Sequence, residues 1–133
     1  MSEECKKILV VDDEELVINL IKHCLERLNE KNCPQKCSIS VSTSGIDAIE
    51  IMRKNKPDLI ILDMIMPKIN GLDILRIIKA DENLKDIKTI VLSSTDDYME
   101  ECKKLGIDEY LLKPIKVTLI FEKIQQLLLC QEK

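Results

Sequence analysis

Aromatic residues are nearly missing from this chain, with two Tyr, one Phe and no Trp among 133 residues. There is also no long run of Lys or Arg, and the formal charge is -4. Both shortages argue against a nucleic-acid surface, which needs clustered cations and flat side chains for stacking. No apolar run approaches the roughly 18 residues that cross a bilayer, and the opening MSEECKK has no apolar stretch of signal-peptide length. A cytoplasmic chain with no membrane attachment is expected. Histidine is as scarce, with His23 alone. A structural zinc site takes about four ligands, so Cys33 and Cys37 in CPQKC lack the company to form one and read as two incidental loop thiols.

Cysteine itself is plentiful, at six. Without an export signal a disulfide framework is not indicated, and the length suffices for one domain, 1–133, that buries about two-thirds of its unfolded surface. Cys24 and Cys102 fall on apolar helical positions, where a thiol packs as a small hydrophobe.

Five short apolar runs punctuate the chain: Ile8 to Val11, Ser38 to Ser42, Leu59 to Leu62, Thr89 to Leu92 and Tyr110 to Leu112. Helical patterns separate them, which predicts an α/β fold with a parallel sheet and right-handed crossovers. The first helix carries Leu16, Val17, Leu20, Ile21, Cys24, Leu25 and Leu28 at helical spacing, with Asp13 as its expected N-cap. In the second, Ser44 and Asp47 have capping-box spacing. The third carries Leu72, Leu75 and Ile78; the fourth covers about 96–105 and stops at Gly106. The last sets Val117, Ile120, Phe121, Ile124, Leu127 and Leu128 on one face. Continuous apolar runs suit strands covered on both faces, whereas SISVS alternates as an edge strand does. With the second strand at an edge and the first beside the third, the sheet is doubly wound and five-stranded, in the order 2-1-3-4-5 with helices on both faces. Such sheets bind ligands at the carboxyl ends of the strands flanking the reversal.

Those ends read VVDD and IILD, so Asp12, Asp13 and Asp63 converge on one rim. Three carboxylates crowded together raise one another's pKa unless a cation sits among them. Oxygen ligands alone favour a hard divalent ion, and Mg2+ accepts few protein ligands plus waters; no sulfur or imidazole on this rim invites a softer metal. The fourth strand ends in LSS and the fifth in LLKP, which brings Ser93 and Lys113 to the same rim. Taken singly, Asp12 or Asp13 reads as a helix cap, Asp63 as a turn residue and Lys113 as a solvated lysine. Their shared rim is what points to chemistry. Met64 and Met66 flank Asp63 as packing residues.

In order and spacing, ILVVDDEE, LDMIMPKING, IVLSS and YLLKP resemble the receiver domains of two-component response regulators, over the whole chain. The resemblance implies a flavodoxin-like fold and makes Asp63 the acceptor of a phosphoryl group from a phosphohistidine, on a sensor histidine kinase or a histidine phosphotransfer protein. It implies that Asp12 and Asp13 hold Mg2+, Asp13 directly, with Asp63 and the backbone carbonyl of Ile65. Lys113 and the Ser93 hydroxyl would contact phosphoryl oxygens, and Ser93 with Tyr110 would form the switch. The downstream protein would read the face of helix four, strand five and helix five; a homodimer on phosphorylation is a further expectation. The Lys113-Pro114 bond is expected to be cis.

Some positions depart from the family pattern. Ser93 stands for the commoner threonine, Ser94 for alanine, and Ile115 where phenylalanine is frequent. Ile65 is apolar where many relatives carry a polar group that can orient water, which implies slow loss of the phosphoryl group. Ser94 and Thr95 are the other hydroxyls near the strand end, and Ser93 is preferred because it directly follows the last apolar residue. His23 lies between the apolar positions of its helix and is expected on the surface rather than as a phosphodonor. A dehalogenase-type phosphohydrolase would want a second acid where Ile65 stands. A flavin binder would want a hydroxyl- and glycine-rich loop in place of VVDDEE. A receiver-like scaffold that binds partners without phosphorylation is the alternative reading.

Overall fold

The computed structural model describes residues 5–30, 36–66 and 70–129. In chain order these form β1 (Cys5–Val11), α1 (Glu15–Glu30), β2 (Lys36–Ser42), α2 (Gly45–Lys54), β3 (Leu59–Asp63), α3 (Gly71–Ala80), β4 (Lys88–Ser93), α4 (Met99–Leu105), β5 (Glu109–Leu112) and α5 (Val117–Ile124). A single π-helical turn, Gln125–Leu129, continues α5. Cys33 lies outside the described residues, as does the side chain of Leu28; Cys37, expected in a loop, instead lies in β2, which starts at Lys36, and is buried in the core.

All five strands are parallel, in the order β2-β1-β3-β4-β5. Period-2 alternation sorts their side chains into two cores. Leu9, Val11, Ile60, Leu62 and Val91 pack under α2, α3 and α4. Ile8, Val10, Leu59, Ile61, Ile90, Leu92 and Leu111 pack under α1 and α5. The residues of β3 are buried throughout, so both faces are covered as the unbroken apolar run requires. Burial of each such side chain contributes roughly 1.5–3 kcal/mol. β2 is the edge strand that its alternation predicts, with Ile39 and Val41 only partly buried.

Local chemistry sets the helix ends. Ser44 caps α2 by accepting the Asp47 N–H at 3.4 Å, and Asn70 caps α3 by accepting that of Asp73 at 3.0 Å. Gly106 closes α4 at φ +94, a conformation that suits glycine. Cys24 and Cys102 are buried, and His23 is exposed.

Four expectations about the helices need correction. Asp13 does not cap α1: the helix starts at Glu15, and it is Asp12 whose carboxylate accepts the Glu14 N–H at 2.9 Å. Leu16 belongs to the apolar stripe by spacing yet is 84% exposed; it sits in the first turn of α1, at the side of an open groove shared with Lys113, Pro114 and Ile115. The fourth helix begins at Met99, because Asp96 to Tyr98 form a turn closed by the Met99 N–H on the Asp96 carbonyl. In α5 the buried face is Ile120, Ile124 and Leu128, while Val117 at its start is exposed.

Candidate functional site

The ladder between β1 and β2 runs one residue past β1, where the Asp12 N–H donates to the Ser42 carbonyl at 3.1 Å. That bond drives the Asp12 carboxylate into the rim, fully buried. Its Oδ1 accepts the Glu14 amide, while Oδ2 is buried and accepts no hydrogen bond. Asp63 ends β3, 4% exposed, with the Ile65 N–H donating to Oδ1 at 3.4 Å. Asp13 is exposed beside them, and one carboxylate oxygen from each of the three acids lies within 4.8 Å of the others.

Lys113 follows β5. Its N–H donates to the Ser93 carbonyl at 2.8 Å, and the Lys113-Pro114 bond is cis as expected. Its Nζ stands 3.4 Å from Asp63 Oδ1, 3.5 Å from Asp12 Oδ2 and 2.5 Å from Glu14 Oε1. Three carboxylates thus face one ammonium. Burial, then repulsion from Asp12, pushes the Asp63 carboxyl up to about 6 against the pull of Lys113. Burial likewise raises Asp12, opposed by the Glu14 amide. For Lys113 burial works downward, but the Glu14 hydrogen bond and the charges of Asp12 and Asp63 outweigh it and leave the ammonium raised. A buried carboxylate oxygen that accepts no hydrogen bond, with the shared Lys113 ammonium at 3.5 Å, is costly among acids, and the all-oxygen donor set fits a hard divalent cation.

Ser93 and Tyr110 lie one and two strands over, on the other face of the sheet. The Ser93 hydroxyl, 1% exposed, accepts the Thr95 N–H at 3.2 Å. The Tyr110 hydroxyl donates to the Thr95 carbonyl at 2.6 Å. Both side chains therefore hold the same residue of the β4–α4 loop. Ser94 is exposed, and the Thr95 hydroxyl accepts the Asp97 N–H at 3.2 Å. Ile65 is half exposed, and Met64 and Met66 are buried in packing roles. Gly71 presses the start of α3 onto the end of β3: a Cβ there would come within 2.7 Å of the Asp63 carbonyl oxygen and of Met64 Cα.

Asp12, Asp13, Asp63 and Lys113 are thus gathered at one point from three strand ends. Ser93 and Tyr110 are joined to each other through Thr95. Sequence reasoning passed over Glu14, which it did not single out within VVDDEE. The signal was available in VVDDEE, where the third acid also faces the rim that Lys113 reaches.

A doubly wound sheet whose switch point holds acids, an ammonium and a nearby hydroxyl defines a flavodoxin-like domain with an acidic, cation-seeking site. A family model for the response regulator receiver domain matches residues 8–125, and the chain belongs to that family, the receivers of two-component signalling. The alkaline phosphatase synthesis regulator PhoP of Bacillus subtilis is 29% identical over 125 residues, 92% of this chain, which spans about half (48%) of PhoP. The polar-differentiation response regulator DivK of Brucella ovis is 28% identical over 92% of this chain and 96% of its own length. Among solved structures, the phosphorylated cyanobacterial phytochrome response regulator RcpA is 29% identical, with a TM-score of 0.74 over 90% of this chain and 89% of that one. The receiver domain of the Pseudomonas aeruginosa sensor histidine kinase PA1611, which has magnesium coordinated in its active-site cleft, is 25% identical, with a TM-score of 0.76 over 90% of this chain and 94% of that one. Receivers of this family work with histidine kinases and downstream effectors. Among the described residues, no helix is long and apolar enough to cross a membrane.

Proposed function

We propose that Asp63 accepts a phosphoryl group, in a Mg2+-dependent reaction, from a phosphohistidine of a cytoplasmic sensor kinase domain or a histidine phosphotransfer protein. The observation that carries this reading is the buried Asp63 carboxylate at a strand end, with Asp12 and Asp13 on one side and Lys113 3.4 Å away. A carboxylate oxygen of Asp63 attacks phosphorus, the bond from phosphorus to imidazole nitrogen breaks, and the nitrogen keeps the electron pair. Phosphoryl transfer of this kind has a loose transition state, so catalysis comes from positioning and from neutralising the peripheral oxygens. Lys113 supplies one positive charge, and the Ser93 hydroxyl and the amides after Asp63 supply hydrogen bonds.

The carboxylates of Asp12, Asp13 and Asp63 and the backbone carbonyl of Ile65 would hold Mg2+. The buried Oδ2 of Asp12, which accepts no hydrogen bond, is the feature of this site that fits it. When bound, the ion offsets the charge of the acids and of the incoming phosphoryl oxygens.

Beside Lys113 a groove of about 470 Å³ is lined by Leu16, Val17, Leu20, Pro114 and Ile115. An apolar helix face of the phosphodonor fits it, and the exposed Leu16 would be the anchor. The switch is Ser93 turning toward the phosphoryl group. That motion frees the Thr95 N–H and, through the same residue, alters the hold of Tyr110. The face of α4, β5 and α5 would then be read by a downstream protein or by a second copy.

Incubation with Mg2+ and acetyl phosphate, followed by intact mass, tests the reading. One phosphoryl mass should appear, vanish with EDTA or in Asp63→Asn, and be removed by hydroxylamine. A chain that never gains it would instead be a partner-binding scaffold.

A further inference from the structure

Lys113 has more anionic neighbours than one ammonium can serve at close range. Asp63 and Asp12 stand at 3.4 and 3.5 Å, while Glu14 is nearest, at 2.5 Å. The three acids are not equivalent. Asp12 and Asp63 are buried at strand ends and each accepts a backbone amide. Glu14 reaches in from the loop before α1, its side chain 57% exposed against 16% for Lys113. It is therefore the one acid of the group that can swing into solvent at little cost, since exposed ion pairs are weak.

We propose that Glu14 is a placeholder for the phosphoryl group: its carboxylate occupies Lys113 in the unphosphorylated protein and must be displaced before the ammonium can serve Asp63. The inference rests on the phosphoacceptor reading above. A phosphoryl group carries more charge and more acceptor oxygens than a carboxylate, so it wins Lys113 once it has arrived. The contact therefore slows arrival and does nothing afterwards, because in the phosphorylated protein Glu14 has already let go. It restrains reaction with small donors, and a docked protein donor can override it by covering the same rim.

The prediction is a split between two rates. At saturating Mg2+, Glu14→Gln, which keeps the length of the side chain and removes its charge, should speed phosphorylation by acetyl phosphate by roughly fivefold, the scale of an exposed ion pair. Its affinity for beryllofluoride should tighten by a similar factor. Hydrolysis of the acyl phosphate, followed after the donor is removed, should stay at the wild-type rate. Glu14→Asp keeps the charge at the mouth but shortens the reach, so it should behave like the Gln variant. General repulsion of the donor would instead leave Asp as slow as Glu, and that result overturns the proposal. So does a Gln variant that is no faster, or one in which hydrolysis changes in proportion to phosphorylation, as a merely structural effect would produce. A wild-type protein that takes no label overturns the phosphoacceptor reading itself. Labelled wild type with an unaccelerated Gln variant overturns only the role of Glu14.

Discussion

Replacing the acceptor with its neutral isostere, Asp63→Asn, should stabilise the metal-free protein at neutral pH. In the fold the Asp63 carboxyl is raised from 3.8 to about 6, by burial first and by Asp12 second. Its ionisation at neutral pH therefore opposes folding by at most about 3 kcal/mol, at about 1.4 kcal/mol per tenfold. Asparagine carries no charge and keeps an oxygen for the Ile65 N–H. The pull of Lys113 at 3.4 Å is already contained in that raised value, so its loss subtracts nothing further. A net gain of up to about 3 kcal/mol should remain. The sign follows from proton binding: a carboxyl raised in the folded state favours folding below its unfolded value of 3.8, and that advantage is lost as pH rises through about 6. The gain in the Asn variant should thus be full above about pH 6, shrink between 6 and 4, and vanish below about 4. Urea unfolding in EDTA at about pH 7.5 and about pH 4 measures it directly. Mg2+ should then stabilise the wild type, by about 2.7 kcal/mol at a hundredfold excess over Kd, and the variant by less. An Asn variant no more stable than wild type at neutral pH without metal, or equally favoured in acid, would refute this electrostatic reasoning.

Other substitutions probe the surroundings. Gly71→Ala sets a Cβ 2.7 Å from backbone atoms of Asp63 and Met64 that cannot yield independently, so the urea midpoint should fall by an amount equivalent to about 2 kcal/mol or more. An unchanged midpoint would show that the start of α3 is free to shift. Ile65→Asn replaces a half-exposed apolar side chain beside the acceptor with one that can orient water, and should shorten the lifetime of the acyl phosphate; an unchanged lifetime contradicts this. Cys102 is buried with its thiol pushed up to about 11 by burial and by Glu101, and Cys24 is raised by burial. Both should resist iodoacetamide in the native protein and react in urea, which peptide mapping will show.

Much of this architecture is legible in the chain because the physical constraints are local. A run such as LIIL is unbroken because helices cover both faces of β3, and SISVS alternates because β2 is an edge; the strand order and the acidic rim follow from that contrast. Periodicity sees less well where an element meets a rim. It placed Leu16 in the apolar stripe of α1 by its angle on the helix, which carries no information about what packs against that turn. It extended α4 to Asp96, because a turn closed by one backbone bond leaves no apolar signature and Tyr98 offers no capping side chain. Glu14 escaped notice for a related reason: an acid before a helix has an adequate local explanation, and its contact with Lys113, 99 residues away, depends on tertiary structure alone.

Borohydride trapping tests the central claim most directly, because it reduces an acyl phosphate to an alcohol and so marks the residue that carried it. After incubation with acetyl phosphate and Mg2+, peptide mapping should recover position 63 as homoserine, with no conversion in EDTA. Conversion at another acid, or none at any, would contradict the account.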